Sequence, residues 1–348
     1  MDNRPIPIII LNWNGIEDTL ECLDSLTYQT YENFEIYLVD NNSSDNSVEI
    51  LKQKVKVIPN LNLIVNQENI GFTRGNNEVM RKILSSDLIS PYIILLNNDT
   101  IQDKNWLKNI IQSAKDNSAH IVSSKMIDYY NRALMDNAGH FMLNTGEIIS
   151  IGHQAPIEEY NNPFENIGAC GGAALYSTDM LKDIGVFDEY FDTGYEDAEL
   201  GLRAFIAGYK CWYEPSAIVY HKMGQSIKKV FRQEYVEKIF KNTWYTYFAN
   251  IPLGALLINA PFFILKHLLS ILFLFLLGKK EYAQSLINSF IDTINESSKI
   301  VTKRKRSQKN VSSIKILKKQ KFFLFYDIQR VVNIFFFRKR ELFEKYVE

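Results

Sequence analysis

Apolar positions in the first hundred residues follow two alternating rhythms. Residues 6–11 are an unbroken apolar run of strand length, which gives way to the polar loop Asn12-Trp13-Asn14-Gly15. Leu20, Leu23 and Leu26, with Cys22, then recur at helical spacing behind the capping residues Asp18 and Thr19. Residues 34–39 predict a second strand ending in Asp40-Asn41-Asn42-Ser43-Ser44-Asp45, and Val48, Ile50 and Leu51 a second helix. Residues 61–65 predict a third strand, 75–85 a third helix, and 92–96 a fourth strand that stops at Asn97-Asn98-Asp99. Strands alternating with helices predict right-handed crossovers and a mainly parallel, Rossmann-like sheet with helices on both faces. In such sheets the ligand crevice lies beyond the strand C-termini, where these polar loops fall.

The second half reads differently. Residues 120–195 are rich in Gly, Asn and Tyr and are expected to be irregular, a loop-bearing region that shapes a site. From about residue 226 the spacing of Val230, Phe231, Tyr235, Val236, Ile239, Phe240, Trp244 and Tyr247 predicts a helix with an apolar stripe. Residues 251–277 are strongly apolar but interrupted by Asn259, Pro261, Lys266 and His267. The clean run 268–277 has ten residues, against about 20 for a spanning helix. The expected form is a helical hairpin lying on the membrane or shallowly inserted, with a true span as the alternative.

The 348 residues, 46% hydrophobic and 23% charged, suit about two globular domains and exclude a disordered chain or a many-span membrane protein. The near-neutral total hides a division: residues 1–278 hold 22 basic and 33 acidic side chains, residues 279–348 hold 17 and 7. Between residues 299 and 326 ten Lys or Arg occur with no Asp or Glu, interleaved with Phe322, Phe323, Phe325 and Tyr326, and Phe335 to Phe337 precede Arg338-Lys339-Arg340. Such a tail is expected to seek an anionic membrane surface; nucleic acid, whose bases could stack on the aromatics, is disfavoured by the adjoining apolar segment. The expected division is a catalytic domain over 1–225, with halves meeting near residue 100, an apolar helical hairpin over 226–278 and a membrane-associating tail over 279–348. Three cysteines without a CxxC pair argue against a disulfide framework or zinc cluster and suit a reducing compartment.

Each polar cluster admits two readings. Asp40 either accepts the imide N–H of a uracil or thymine or merely belongs to a loop capping the next helix. Asp99 either binds a divalent cation that holds a diphosphate or ends a hydrogen-bonded turn. Glu196 and Asp197 open a helix, where carboxylates complement the dipole or one of them serves as general base. His221, ending the strand-like run 217–220, either is a satisfied structural residue or completes a metal shell; no HExxH pattern supports zinc. No GxGxxG, GxxxxGK[ST] or GxSxG occurs, so dinucleotide oxidoreductases, P-loop hydrolases and serine hydrolases lose their support.

The order of these clusters is more specific than any one of them. Asn12-Trp13-Asn14-Gly15, Asp40-Asn41-Asn42-Ser43-Ser44-Asp45, Asn69-Ile70-Gly71-Phe72 with Gly75-Asn76-Asn77, and Asn97-Asn98-Asp99-Thr100 resemble the motifs of family 2 glycosyltransferases. Gly171-Gly172-Ala173-Ala174, Ile184-Gly185-Val186-Phe187-Asp188, Glu196-Asp197-Ala198-Glu199-Leu200 with Arg203, and His221-Lys222-Met223-Gly224-Gln225-Ser226 resemble its acceptor-side motifs, most closely in the bacterial rhamnosyltransferase-like branch. The resemblance implies a GT-A fold and inverting transfer from a nucleotide-diphosphate sugar. It implies nucleotide-sugar contacts from Asn12, Asp40, Asn42, Asn69, Gly71, Arg74, Asn77 and Asn98, and an acceptor side formed by Gly171, Gly172 and Arg203. It implies Asp197 as base with Glu196 as its partner, and Asp99 with His221 at Mg²⁺ or Mn²⁺. Asn97 stands where the family's DxD motif begins with Asp, which lowers the charge of the metal site.

The expected reaction is transfer of rhamnose from its dTDP donor to a glycan or lipid-linked acceptor at the cytoplasmic face of the plasma membrane. The alternatives are a UDP-hexose or UDP-N-acetylhexosamine donor, or a non-catalytic, membrane-bound nucleotide-sugar binding protein.

Overall fold

The computed structural model describes residues 4–87, 89–222, 233–307 and 312–327. The chain forms two compact units, Met1–His140 with Ser150–Gln225, and Phe141–Ile149 with Ser226–Glu348.

In the first unit, β1 (Ile6–Asn12), α1 (Ile16–Thr27), β2 (Phe34–Asp40), α2 (Ser47–Lys54), β3 (Leu61–Val65), α3 (Gly71–Leu84) and β4 (Tyr92–Asn97) alternate as their periodicities require. β5 (Thr100–Gln102), α4 (Trp106–Asp116), β6 (Ile121–Asp128) and β7 (Met135–Asn137) follow. β8 (His140–Met142) and β9 (Ile148–Ser150) pair as a small ribbon at the point where the chain leaves and rejoins this unit. β10 (Phe164–Asn166), β11 (Ala173–Ser177), α5 (Thr178–Ile184), α6 (Glu196–Ala207) and β12 (Cys211–His221) complete it.

The sheet runs β10-β12-β6-β11-β4-β1-β2-β3. Its strands are apolar on both faces because both are covered. Ile8 and Ile10 join α1, α2 and α4 on one side, while Ile9 joins Val79, Met80, Met180, Leu181 and Leu200 of α3, α5 and α6 on the other.

Two expectations fail here. The sheet is mixed: β4, β1, β2 and β3 are parallel, but β11 enters antiparallel between β4 and β6, and β5, β7 and β10 are also antiparallel. The region expected to be irregular supplies β6, buried along almost its whole length, and the fully buried β11. Ser123 and Ser124 lie inside β6 and are buried, which hid the strand from an apolar count. β12 tolerates Pro215 because its register shifts between Glu214 and Ile218, where no ladder N–H is required.

The second unit contains α7 (Gln233–Asn250), α8 (Leu253–Leu276), α9 (Lys280–Asn295), α10 (Ser297–Ser307) and α11 (Ser313–Lys319). α8 runs unbroken through Pro261, so residues 251–277 form one helix and not a hairpin. Trp244, Tyr247 and Phe248 of α7 pack on Phe263 of α8. Val230, Phe231, residues 223–226 and the aromatic and basic residues 335–340 lie outside the described residues.

Candidate active site

Parallel pairing brings the ends of β1, β2 and β4 together: Asn12 is in register with Asp40, and Leu11 with Asn97. A polar network joins the three loops beyond them. Asn12 Nδ2 donates to Asp40 Oδ2 at 2.7 Å and to Ser43 Oγ at 3.2 Å. Its Oδ1 accepts from the Thr19 hydroxyl at 2.8 Å, and that hydroxyl accepts from Asn98 Nδ2 at 2.9 Å. Asp40 also accepts from the Ser43 amide at 2.9 Å and the Ser43 hydroxyl at 2.8 Å. Both Asn12 and Asp40 are wholly buried. Asp40 thus accepts three hydrogen bonds from Asn12 and Ser43, the internal donors that a buried charge needs. Asn42 is left exposed at φ 60° at the tip of this loop.

The next loop is tied to this one. Asn41 Nδ2 donates to Asn69 Oδ1 at 2.9 Å, and Asn41 Oδ1 accepts from Asn66 at 3.0 Å and the Ile70 amide at 3.2 Å. Gly71 takes φ 82°, which its lack of Cβ allows, and its amide donates to Asn69 Oδ1 at 2.9 Å. α3 thus begins at Gly71, one turn earlier than the periodicity predicts, and holds Arg74 exposed in its first turn. Asn77 does not join the nucleotide loops. It is buried and donates to the Phe187 carbonyl at 2.9 Å, holding the segment whose Glu189 pairs with Arg81 at 2.6 Å.

A second cluster lies at the other side of β4. β12 pairs antiparallel with β5, setting His221 opposite Thr100, and the Lys222 amide donates to the Asp99 carbonyl at 2.9 Å. His221 Nε2 stands 3.2 Å from Asp99 Oδ1, while His221 Nδ1 donates to Asp136 Oδ2 at 2.7 Å. Asp136 in turn faces His153 Nδ1 at 3.6 Å. Burial pushes the His221 imidazole down, but the flanking Asp99 and Asp136 carboxylates outweigh it and raise its pKa well above the ordinary value. Burial likewise opposes ionisation of Asp99, and His221 overcomes it, leaving the carboxyl below its usual range.

Asp99 Oδ1 and His221 Nε2, 3.2 Å apart, are the oxygen and nitrogen that would hold a divalent ion. Asp136 fixes the tautomer and aims the imidazole, as a carboxylate behind a metal-bound histidine does. Among the described residues no group of three or more His, Cys, Asp or Glu side chains could hold a metal. The remaining ligands would have to be phosphate and water, the usual habit of Mg²⁺ and Mn²⁺ in phosphate chemistry.

The third element is the start of α6. Tyr195 precedes it at φ 88°, an unusual conformation for a bulky residue. Asp197 Oδ2 accepts from the Gly171 amide at 2.8 Å, and Oδ1 from the Ala198 amide at 2.6 Å. Asp197 keeps partial exposure, while Glu196 beside it is buried. A Cβ on Gly172 would come within 3.1 Å of Asn97 Nδ2 and Met126 Cε, so this glycine lets β11 close on the end of β4.

Arg203 commits its donors within the fold. It pairs with the fully buried Glu199 at 2.9 Å and donates to the carbonyls of Ile184, Gly185 and Val186, which consumes its fork of donors. It clamps the turn after α5.

Thr19 and Ser43 lie in segments the sequence marks as a helix cap and a polar loop, while Asp136, His140 and His153 have no signal of their own there. His140 is buried, and burial pushes its pKa down while Asp197 acts in the opposite sense.

Polar loops at the strand ends of an α/β sheet, a carboxylate–histidine pair and a helix-borne acid are the features expected of a GT-A-like glycosyltransferase. The profile of glycosyl transferase family 2 matches residues 8–185, and the chain belongs to that family. It is 28% identical over 157 residues to glycosyltransferase GlyG of Streptococcus pneumoniae, covering 45% of this chain and 49% of that one. The chain thus spans about half the length of this relative. It is 24% identical to the O-antigen chain rhamnosyltransferase RfbN of Salmonella typhimurium, over 76% of this chain and 85% of that one. Among solved structures, the mannosyltransferase PcManGT of Pyrobaculum calidifontis, in complex with GDP-Man and Mn²⁺, superposes with a TM-score of 0.53 at 15% identity, covering 84% of this chain and 87% of that one.

Proposed function

We propose that the protein transfers a sugar, with inversion, from a nucleotide-diphosphate donor to a hydroxyl of a cell-surface polysaccharide or lipid-linked glycan precursor. The observation that carries this reading is that strand pairing brings Asp99 with His221, and through Gly171 the Asp197 of α6, to the C-terminal end of β4. Inversion takes one in-line displacement at the anomeric carbon, with a base on the acceptor side and charge neutralisation at the leaving diphosphate. Asp197 accepts the acceptor's proton as its oxygen attacks; the amides of Gly171 and Ala198 hold the carboxylate in place. Asp99 and His221 would hold Mg²⁺ or Mn²⁺. The ion supplies Lewis-acid stabilisation of the leaving diphosphate. Asn42, Asn69 and Arg74 are the nucleotide-side residues left exposed for the donor, and Asn12, Asp40 and Asn98 shape the loops behind them.

Rhamnose from dTDP-rhamnose is the first donor to test, supported by the 24% identity to a rhamnosyltransferase. A UDP-hexose or UDP-N-acetylhexosamine is the alternative. A thermal-shift panel with Mn²⁺ or Mg²⁺ against dTDP-rhamnose, UDP-sugars, GDP-mannose and the free nucleotides tests it, because a ligand bound only by the folded state raises stability by RT ln(1 + [L]/Kd). Stabilisation by dTDP-rhamnose beyond dTDP supports the rhamnosyl reading. A selective response to a UDP-sugar moves the assignment to that donor, and no response to any nucleotide overturns the reading.

A further inference from the structure

The polar residues that interrupt the apolar sequence of α8 turn to one side of the helix. Asn259 donates to Gln320 at 2.8 Å, Lys266 pairs with Glu147 at 2.8 Å and Asp327 at 3.3 Å, and His267 accepts from the Trp244 indole at 2.9 Å. The opposite face recurs every three or four residues from Leu253 to Leu276, and none of its exposed positions is polar. Leu257, Leu268 and Leu276 are 66%, 61% and 76% exposed. An apolar stripe this long and unbroken marks an interaction surface.

The border of the stripe states what covers it. α11 packs beside α8 through the buried Ile316 and exposes Lys315, Lys318 and Lys319. Phe322, in contact with Phe262 of α8 at 5.1 Å between ring centroids, and Phe325 extend the apolar surface within the same acid-free, basic stretch. Leucines and phenylalanines edged by lysines match acyl chains edged by anionic headgroups.

Length alone would let α8 cross a bilayer. Its 24 residues reach roughly 36 Å, against a hydrocarbon core of about 30 Å. A crossing, however, would carry Lys266 with Glu147 and Asp327, at the middle of the helix, into the hydrocarbon. Lying flat, the helix buries its stripe and keeps those charges on the water side.

We propose that the second unit is a monotopic anchor, with α8 in the plane of one leaflet of an anionic membrane. This inference does not rest on the glycosyl-transfer reading. The test uses the full chain and vesicles of phosphatidylcholine, with or without a quarter phosphatidylglycerol. The protein should float with the anionic vesicles at least tenfold more than with the neutral ones. Leu268→Glu/Leu272→Glu should cut that binding at least tenfold while the melting temperature of the lipid-free protein is unchanged. Lys315→Gln/Lys318→Gln/Lys319→Gln, which leaves the apolar stripe whole, should remove the preference for anionic vesicles.

Nitroxide labels at Leu257→Cys, Leu265→Cys and Leu272→Cys, read against the labelled unsubstituted protein, should report one common shallow depth, about 5–10 Å below the headgroups. A label at 265 deeper than the other two by roughly 10–12 Å would mean a crossing helix and overturn the in-plane arrangement. Failure to float with either vesicle, or a stripe covered by dimerisation with loss of flotation, would overturn the anchor itself.

Discussion

Replacing Asp197 with asparagine separates its two jobs. The side chain accepts two amide N–H bonds, from Gly171 at 2.8 Å and Ala198 at 2.6 Å, in the first turn of α6. Asparagine keeps the size and one acceptor oxygen but loses the charge. Losing the helix-dipole complement costs about 0.3–1 kcal/mol, reducing one charge-assisted hydrogen bond to a neutral one about 1 kcal/mol more, and leaving the other amide without its acceptor about 1–3 kcal/mol. At about 2–4 °C per kcal/mol for a unit of this size, Tm should fall by about 5–20 °C. Turnover should fall far more, by about 10²–10⁴-fold for a lost general base, or about 2.7–5.4 kcal/mol in the barrier. Donor affinity should stay within about twofold, because the donor-side residues lie on β1, β2, α3 and β4. Initial rates at saturating donor, with the donor titrated separately by calorimetry, measure both quantities. Turnover within tenfold of the parent, or a collapse of donor affinity alongside it, would refute the role assigned to Asp197.

Asp136→Asn, which leaves the His221 imidazole without its aiming carboxylate, should raise the divalent-ion concentration needed for half-maximal donor binding by about 10–100-fold, measured by ion titration. Arg203→Met should strand the buried Glu199 charge and cost about 3–5 kcal/mol in denaturant unfolding, with donor affinity of the folded fraction unchanged; a neutral effect would mean the clamp on residues 184–186 is dispensable. His153 is pushed down by burial and raised more strongly by Asp136, with Asp128 adding, so its folded pKa exceeds the unfolded value. Its stabilisation is therefore complete below about pH 6.5 and lost as pH rises through the raised folded value. The stability gap between the parent and His153→Gln, from urea melts, should narrow toward alkaline pH, and a gap that widens there would contradict the sign.

Much of the first unit is legible in the order of residues, because strand and helix periodicities are local records of which side is buried. β1, β2, β3 and β4 and the polar loops at their ends follow from apolar runs and turn residues alone, and the loop motifs mark out the family. The expected parallel sheet fails where locality ends. β11 lies in the region expected to be irregular, and both its pairing and its direction are decided by β4 and β6, between which it is hydrogen-bonded.

The same division governs the site. Asp40, Asn77 and Arg203 have the residue types of ligand contacts, yet folding commits them to Asn12 and Ser43, to the Phe187 carbonyl, and to Glu199 with the 184–186 carbonyls. Asp136 carries no motif, and its place behind His221, 85 residues away in sequence, exists only because β6 pairs with both β7 and β12. α8 makes the point for surfaces. Sequence order scatters Asn259, Lys266 and His267 through an apolar run, and only the packed helix gathers them on one side. What the sequence determined by itself is which segments bury apolar surface and which loops carry polar side chains. What only the tertiary structure decided is whose hydrogen-bonding capacity is spent internally and whose is left to meet a ligand, since burial drives most polar groups to find a partner within the fold.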